Sequence, residues 1–290
     1  MARQGGAVQG GARRGRHWLA GCLAGLLLVA GCASAPPPPP SAESLGALAP
    51  WRARLAQAAL AEWRAWGQIT LDGWPETLPQ EPDPRLFDRI MTYWAAVPGE
   101  GEPVIRRHSQ TYAALMDGLT ESTLPGEPPP ALPSISLWAW PAWSAAFISY
   151  VMGQAGVPSY VFPPSASHAF YIDALLWQAQ GDPARAAFLP HDPAEYAPRP
   201  GDLICADRAS RPMLHWQERL SESGQFRPMH CDIVVAGGGG LVQAIGGNVR
   251  DAAVLRRFPA DAQGRALPPP PDKPPFVLIL ENRMDLAVGS

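Results

Sequence analysis

Three side chains of complementary chemistry, Ser144, His230 and Asn248, follow one another in the order of a nucleophilic hydrolase. Ser144 opens the apolar run SAAFISYVMGQA, which Gly156, Val157 and Pro158 bring to a stop, so the run reads as a helix with Ser144 in its first turn. A hydroxyl at a helix N-terminus lies in the positive end of the macrodipole, which favours negative charge developing there. His230 and Asn248 meet through a hairpin. The glycines at 237–240 read as the turn between HCDIVVA (230–236) and LVQAIGGNV (241–249), so Ala236 pairs with Leu241. Counting back sets His230 opposite Gly247, and a one-residue bulge at Gly246 and Gly247 brings Asn248 directly across from His230. The imidazole can then take the hydroxyl proton while the amide fixes the ring.

Other residues around this set have two readings each. Trp143, His168 and Asp232 are candidates to line the cleft. His168 stands at a helix start in SASHAFY, where it either bonds locally or touches substrate. Asp232 shares the face of His230 and either tunes the histidine or lines the cleft. Cys231 adjoins His230 but points to the opposite face, and Cys205 lies in the neighbouring strand. In an oxidising compartment these two cysteines form a disulfide; the alternative is a pair of small buried thiols. His108 is expected at the surface. No Cys/His spacing suggests a metal centre, AGGGGL precedes no helix and so is not a nucleotide loop, and no cofactor is implied.

The elements that position these residues fall in two blocks. Helical periodicity marks 51–68 and 83–97, the latter capped by Asp83 with Pro84 in its first turn, and a shorter helix over 108–119. Helices over 143–155 and 165–180 follow. Strands are expected at 201–207, 230–236, 241–249 and 276–282, with a weaker one at 253–258. Helices first and strands second means an α+β fold, N-terminal helices packed on a small antiparallel sheet. Of the 290 residues 35 are Pro, and the runs at 36–40, 128–130 and 268–271 mark loops or a tether.

The N-terminus reads as a targeting segment. Arg3, Arg13, Arg14 and Arg16 precede a short apolar stretch, too short to span a bilayer, that ends in LVAGC. This stretch resembles a bacterial lipobox, with Cys32 as the residue to be acylated; the alternative is an ordinary signal peptide cut after residues 32–35. Ala33, not Asp, follows Cys32, which by the usual rule for lipoproteins implies the periplasmic face of the outer membrane. The expected organisation is a signal peptide at 1–31, a Pro-rich tether at 32–48, a helical extension at 49–130 and the main domain at 131–290. Without the leader the chain carries 19 basic against 26 acidic side chains, about −7. A mildly acidic domain without a basic stripe is a poor partner for nucleic acid.

Four blocks together resemble one family. WSAAFISYVMGQAGV is similar to the nucleophile helix of CHAP domains, W-C-A-x-F-V-x-x-x-x-x-x-A-G; PRPGDLI to their P-x-P-G-D-L strand; HCDIVVA to their H-V-A-I-V strand; and IGGNV to their E-G-N turn. The layout also looks like an uncharacterised group of bacterial lipoproteins. The resemblance covers 141 to about 258. It implies a papain-like fold of the NlpC/CHAP type and a cell-wall peptide, peptidoglycan, as partner. Carried over residue by residue, His230 matches the base, Asn248 the orienting residue and Ser144 the cysteine. A hydroxyl is far too weak an acid to be ionised as a thiol is. Three readings therefore stand: a serine-dependent hydrolase, a former enzyme that binds without cutting, or a scaffold for envelope partners that uses the N-terminal helices and their Trp residues.

Overall fold

A computed structural model describes residues 37–123, 127–128 and 130–287 of the chain; the leader and Cys32 lie outside the described residues. Among the described residues no helix is long and apolar enough to cross a membrane. The α-helices are α1 (Ala42–Gly46), α2 (Pro50–Ala65), α3 (Phe87–Ala95), α4 (Glu102–Ser122), α5 (Ser144–Gln154), α6 (His168–Gly181), α7 (Glu218–Ser221) and α8 (Met284–Ala287). The strands are β1 (Thr70–Asp72), β2 (Phe188–His191), β3 (Leu203–Asp207), β4 (Met229–Gly238), β5 (Leu241–Val249), β6 (Ala252–Pro259) and β7 (Phe276–Asn282). They form one sheet in the order β1-β6-β5-β4-β3-β7-β2, antiparallel except for the β1–β6 pair. The expected α+β class with an antiparallel sheet is what the chain forms.

Strand alternation divides the apolar residues between two cores. Leu203, Cys205, Cys231, Ile233, Leu278 and Leu280 face the helices. Ile204, Val234, Val242, Ala244, Phe258 and Ile279 form a smaller cluster on the other face, capped by Trp74 and Phe276. With both faces covered, β3 is buried at every position, which is why its sequence is apolar without alternation.

The N-terminal helical extension expected at 49–130 packs into this core. Leu55, Ala56, Ala59 and Leu60 of α2 are fully buried, and α2 packs on α5, β4 and β6. Arg52 on α2 forms an ion pair of 2.7 Å with Asp202, which is fully buried before β3, and also donates to the carbonyls of Pro200 and Asn282. Gly201 lies against Arg52: a Cβ there would come within 2.9 Å of the Arg52 Cα, and its φ of +88° is left-handed. The glycine of the PRPGDL motif thus lets α2 approach the sheet. Part of the expected tether packs on the sheet as well. Pro37 and Pro38 accept hydrogen bonds from the Gln243 amide of β5, and Leu45 of α1 is buried, so the chain is packed from Pro37 onward.

The hairpin that sets the site is tighter than counted. Gly238 pairs with Leu241, leaving a two-residue turn of Gly239 and Gly240 at φ +59° and +75°. Both positions need left-handed backbone, which glycine supplies. The register then shifts between Val234 and Ala236 on β4, and a second shift falls between Gly246 and Val249 where β5 pairs β6. His108 corrects another expectation. It is buried on α4, edge-on to Trp138 at 5.4 Å, because α4 is longer than periodicity suggested and packs on α3.

Candidate functional site

Ser144 sits at the first position of α5, on the segment that α2 and α3 hold in place. Trp143, just before it, is fully buried and stacks on Trp66 at 5.2 Å. Trp66 in turn donates to the Tyr93 hydroxyl at 2.6 Å, and Tyr93 donates to Glu62 at 2.6 Å. Burial first, and then the Glu62 carboxylate, push the Tyr93 hydroxyl well above the usual phenol range, so it stays a donor. Trp143 was a candidate to line the cleft; it belongs instead to the core, because the indole fills the space between α2, α3 and α5.

The Ser144 hydroxyl meets a histidine, but not the one the hairpin supplies. Its Oγ lies 2.7 Å from His168 Nε2. His168 opens α6, and its Nδ1 lies 2.5 Å from the hydroxyl of Tyr171, one helical turn on. Ser144, His168 and Tyr171 are all buried. Burial first, and then the neighbouring His230, since two imidazoles this close cannot readily both be charged, hold His168 well below the ordinary imidazole range. The ring is therefore neutral and bridges two hydroxyls. Of the two readings of His168, local bonding to Tyr171 holds; the bond to Ser144, across 24 positions, follows from how α6 is laid against α5 and has no signal in spacing.

His230 begins β4 and points the other way, toward a buried carboxylate. Its Nε2 lies 3.0 Å from Asp232 Oδ1. Arg256 on β6 donates to the other oxygen of Asp232. Asp232 is fully buried and Arg256 is 7% exposed, so this is an interior pair, not a solvated one. Burial pushes the Asp232 carboxyl upward, but Arg256 outweighs it, and the group is held below the ordinary carboxylate range. Burial lowers His230 in turn, since a carboxylate already paired with Arg256 offers little further stabilisation to an imidazolium. Gly246 makes room for the three: a Cβ there would fall 1.8 Å from Asp232 Oδ1 and 2.9 Å from His230 Nε2. Asp232 thus fixes the ring of His230, the role expected of Asn248.

Asn248 does a different job. It shares no hydrogen bond with His230. Its side-chain amide donates to the Ala139 carbonyl at 3.1 Å, tying β5 to the loop that leads into α5, and its Oδ1 is buried without a partner. Its φ of +54° places it in the left-handed region where the β5–β6 register shifts, and that turns the side chain from the path the hairpin count gives it. His230 and Asn248 do share a cleft of about 480 Å³, with Trp74, Trp140, Arg208 and Arg256 among its walls. The rings of His168 and His230 are 5.3 Å apart, so the buried serine–histidine pair lies behind the cleft.

Beneath the site, Cys205 and Cys231 are directly opposite on β3 and β4 and joined by a disulfide, on the sheet face away from His230. Among the described residues no group of three or more His, Cys, Asp or Glu side chains is placed to hold a metal ion. Sequence reasoning missed Tyr171, Arg208 and Arg256. Arg256 had a signal: in AVLRRF it alternates with Val254 and Phe258, an arginine on an inward face that demands a buried acid.

No curated protein and no solved structure matches the chain. A family model does match residues 81–287, more than two thirds of its length, a span that includes Ser144, His168, His230, Asp232, Asn248 and Arg256. On that match the chain belongs to the family described as "Uncharacterized protein conserved in bacteria (DUF2272)".

Proposed function

We propose that the chain is an exported lipoprotein, anchored through Cys32 at the periplasmic face of the outer membrane, that binds cell-wall peptide in the cleft at His230 without cutting it. The lipobox-like LVAGC and the four CHAP-like blocks support this reading, and the packing of α5 against β4 and β5 is compatible with the papain-like fold that those blocks imply. One observation carries the choice of binder over enzyme. The hydroxyl at the nucleophile position is engaged by His168, and Nε2 of the histidine at the base position is engaged by Asp232. A serine needs both a base in contact and access to substrate; Ser144 and His168 are buried behind the cleft, and His230, which lines it, shares no hydrogen bond with Ser144.

The test is incubation of the purified protein with peptidoglycan sacculi. Binder behaviour is co-sedimentation with no soluble fragments, unchanged in Ser144→Ala. Fragments that disappear in Ser144→Ala would refute the binder reading, and would make the Ser144–His168–Tyr171 chain of hydrogen bonds a hydrolytic relay. The anchor has its own check: Cys32→Ala should leave the membrane fraction, and continued pelleting with outer membranes refutes lipid attachment there.

A further inference from the structure

The cleft at His230 has an uneven charge. Its walls carry Arg208, Arg250, Arg256 and Lys273 against one carboxylate, Asp251. Three of the cations are already engaged: Arg256 with Asp232, Arg250 and Lys273 with Glu76. Arg208 is not. It is exposed at the end of β3, and its side chain makes no hydrogen bond or ion pair among the described residues. Strand register aims it into the cleft. Ala206 pairs directly with His230, and Arg208, two residues on, projects from the same face. Its amide donates to the Pro228 carbonyl and so keeps the strand direction past β3.

One further polar group is unsatisfied around the same space. Arg256 is 7% exposed, yet its Nε has no partner, although its Nη2 is bound to Asp232. Unpaired buried donors are rare unless a ligand or water completes them. Apolar surface stands beside them: Trp140 is 81% exposed at the cleft wall, and Trp74 faces it. An indole left in water beside a free guanidinium suits a ligand that has both an anionic end and an apolar body.

We infer that the cleft contains a carboxylate site, in which Arg208, with the Nε of Arg256 as a second donor, holds the terminal carboxylate of a short peptide whose body lies against Trp140. Arg208 also sits close enough to lower both His230 and His168, after burial itself, which keeps the two imidazoles neutral and leaves the guanidinium as the site's charge. The planar fork suits a carboxylate bidentately, where a lysine would offer only a point charge. This inference rests on reading the cleft as a peptide site.

The experiment is calorimetric titration of the mature protein with N-acetyl-D-alanyl-D-alanine and with its C-terminal amide, beside the sacculus assay. The acid should bind about tenfold or more tightly than the amide, the size of a charge-assisted pair. Arg208→Gln should erase that preference, and Arg208→Lys should restore only part of it. Arg208 is exposed, so unfolding is not the expected cost of either change. Equal binding of acid and amide, binding of neither, or an acid preference that survives in Arg208→Gln overturns the carboxylate site. Displacement of the acid by inorganic phosphate at equal concentration also overturns it, in favour of a phosphate site. Sacculus binding with equal acid and amide affinity defeats the carboxylate site alone. An Arg208-dependent acid preference without sacculus binding supports it and defeats the cell-wall reading.

Discussion

Lowering the pH through the histidine range should destabilise this fold, and replacing His168 should remove a defined part of the effect. His168 and His230 are both held below the ordinary imidazole value in the folded chain, chiefly by burial. In the unfolded chain each titrates near 6.5. Above that pH neither state binds the proton and the full stability is present. Below it the unfolded state takes up a proton that the folded state refuses, so stability is lost as pH falls, down to the lowered folded value. Each such histidine contributes a slope approaching about 1.4 kcal/mol per pH unit. His108, lowered by burial as well, adds in the same direction. The difference between wild type and His168→Gln isolates one group: glutamine can still hydrogen-bond toward Ser144 but does not titrate. Urea unfolding between pH 7.5 and 5.5 should show wild type losing stability more steeply, by about 1.4 kcal/mol per unit below pH 6.5. Parallel profiles for the two proteins would show that His168 is protonated alike in both states, and would remove the neutral bridge from the site.

Two further outcomes follow from the same surroundings. Asp232→Asn strips the partner from a buried arginine, so it should cost about 3–5 kcal/mol in urea unfolding; a loss under 1 kcal/mol would mean that water reaches Arg256. Replacing both Cys205 and Cys231 by serine opens a loop with a sequence separation of 26 and should cost about 3.5 kcal/mol. Thiol titration of the unfolded, unreduced mature protein checks the bond itself: two free thiols would contradict it.

What could be read from the sequence followed the range of the interaction. The order of helices and strands, the α5 start at Ser144, the hairpin and the facing cysteines all depend on period-2 or period-3.6 patterns and on turn residues, and these are local signals. Strand β1 was not legible, because three residues pairing in parallel with β6 leave no periodicity to detect. Nor was β2, a short edge strand that contains Pro190. The partners of the two histidines were partly legible. Asp232 was visible as a residue on the face of His230, since alternation settles that. Its commitment to Arg256 was not, since it needs the β5–β6 register.

The bond between Ser144 and His168 depends on the angle at which α6 meets α5, a property of the whole core. That dependence has a consequence for how the site is understood. A hairpin guarantees that His230 and residue 248 approach one another, whichever residue stands there, whereas α6 brings His168 to Ser144 only while the core behind both is intact. The serine–histidine contact is thus bound up with folding, and the cleft at Arg208 and His230 is the part free to meet a ligand. Selection on binding would act on Arg208, Trp140 and the rim, and selection on stability would act on Ser144, His168 and Tyr171. Among the described residues the cleft and the buried pair meet at the rings of His168 and His230, 5.3 Å apart.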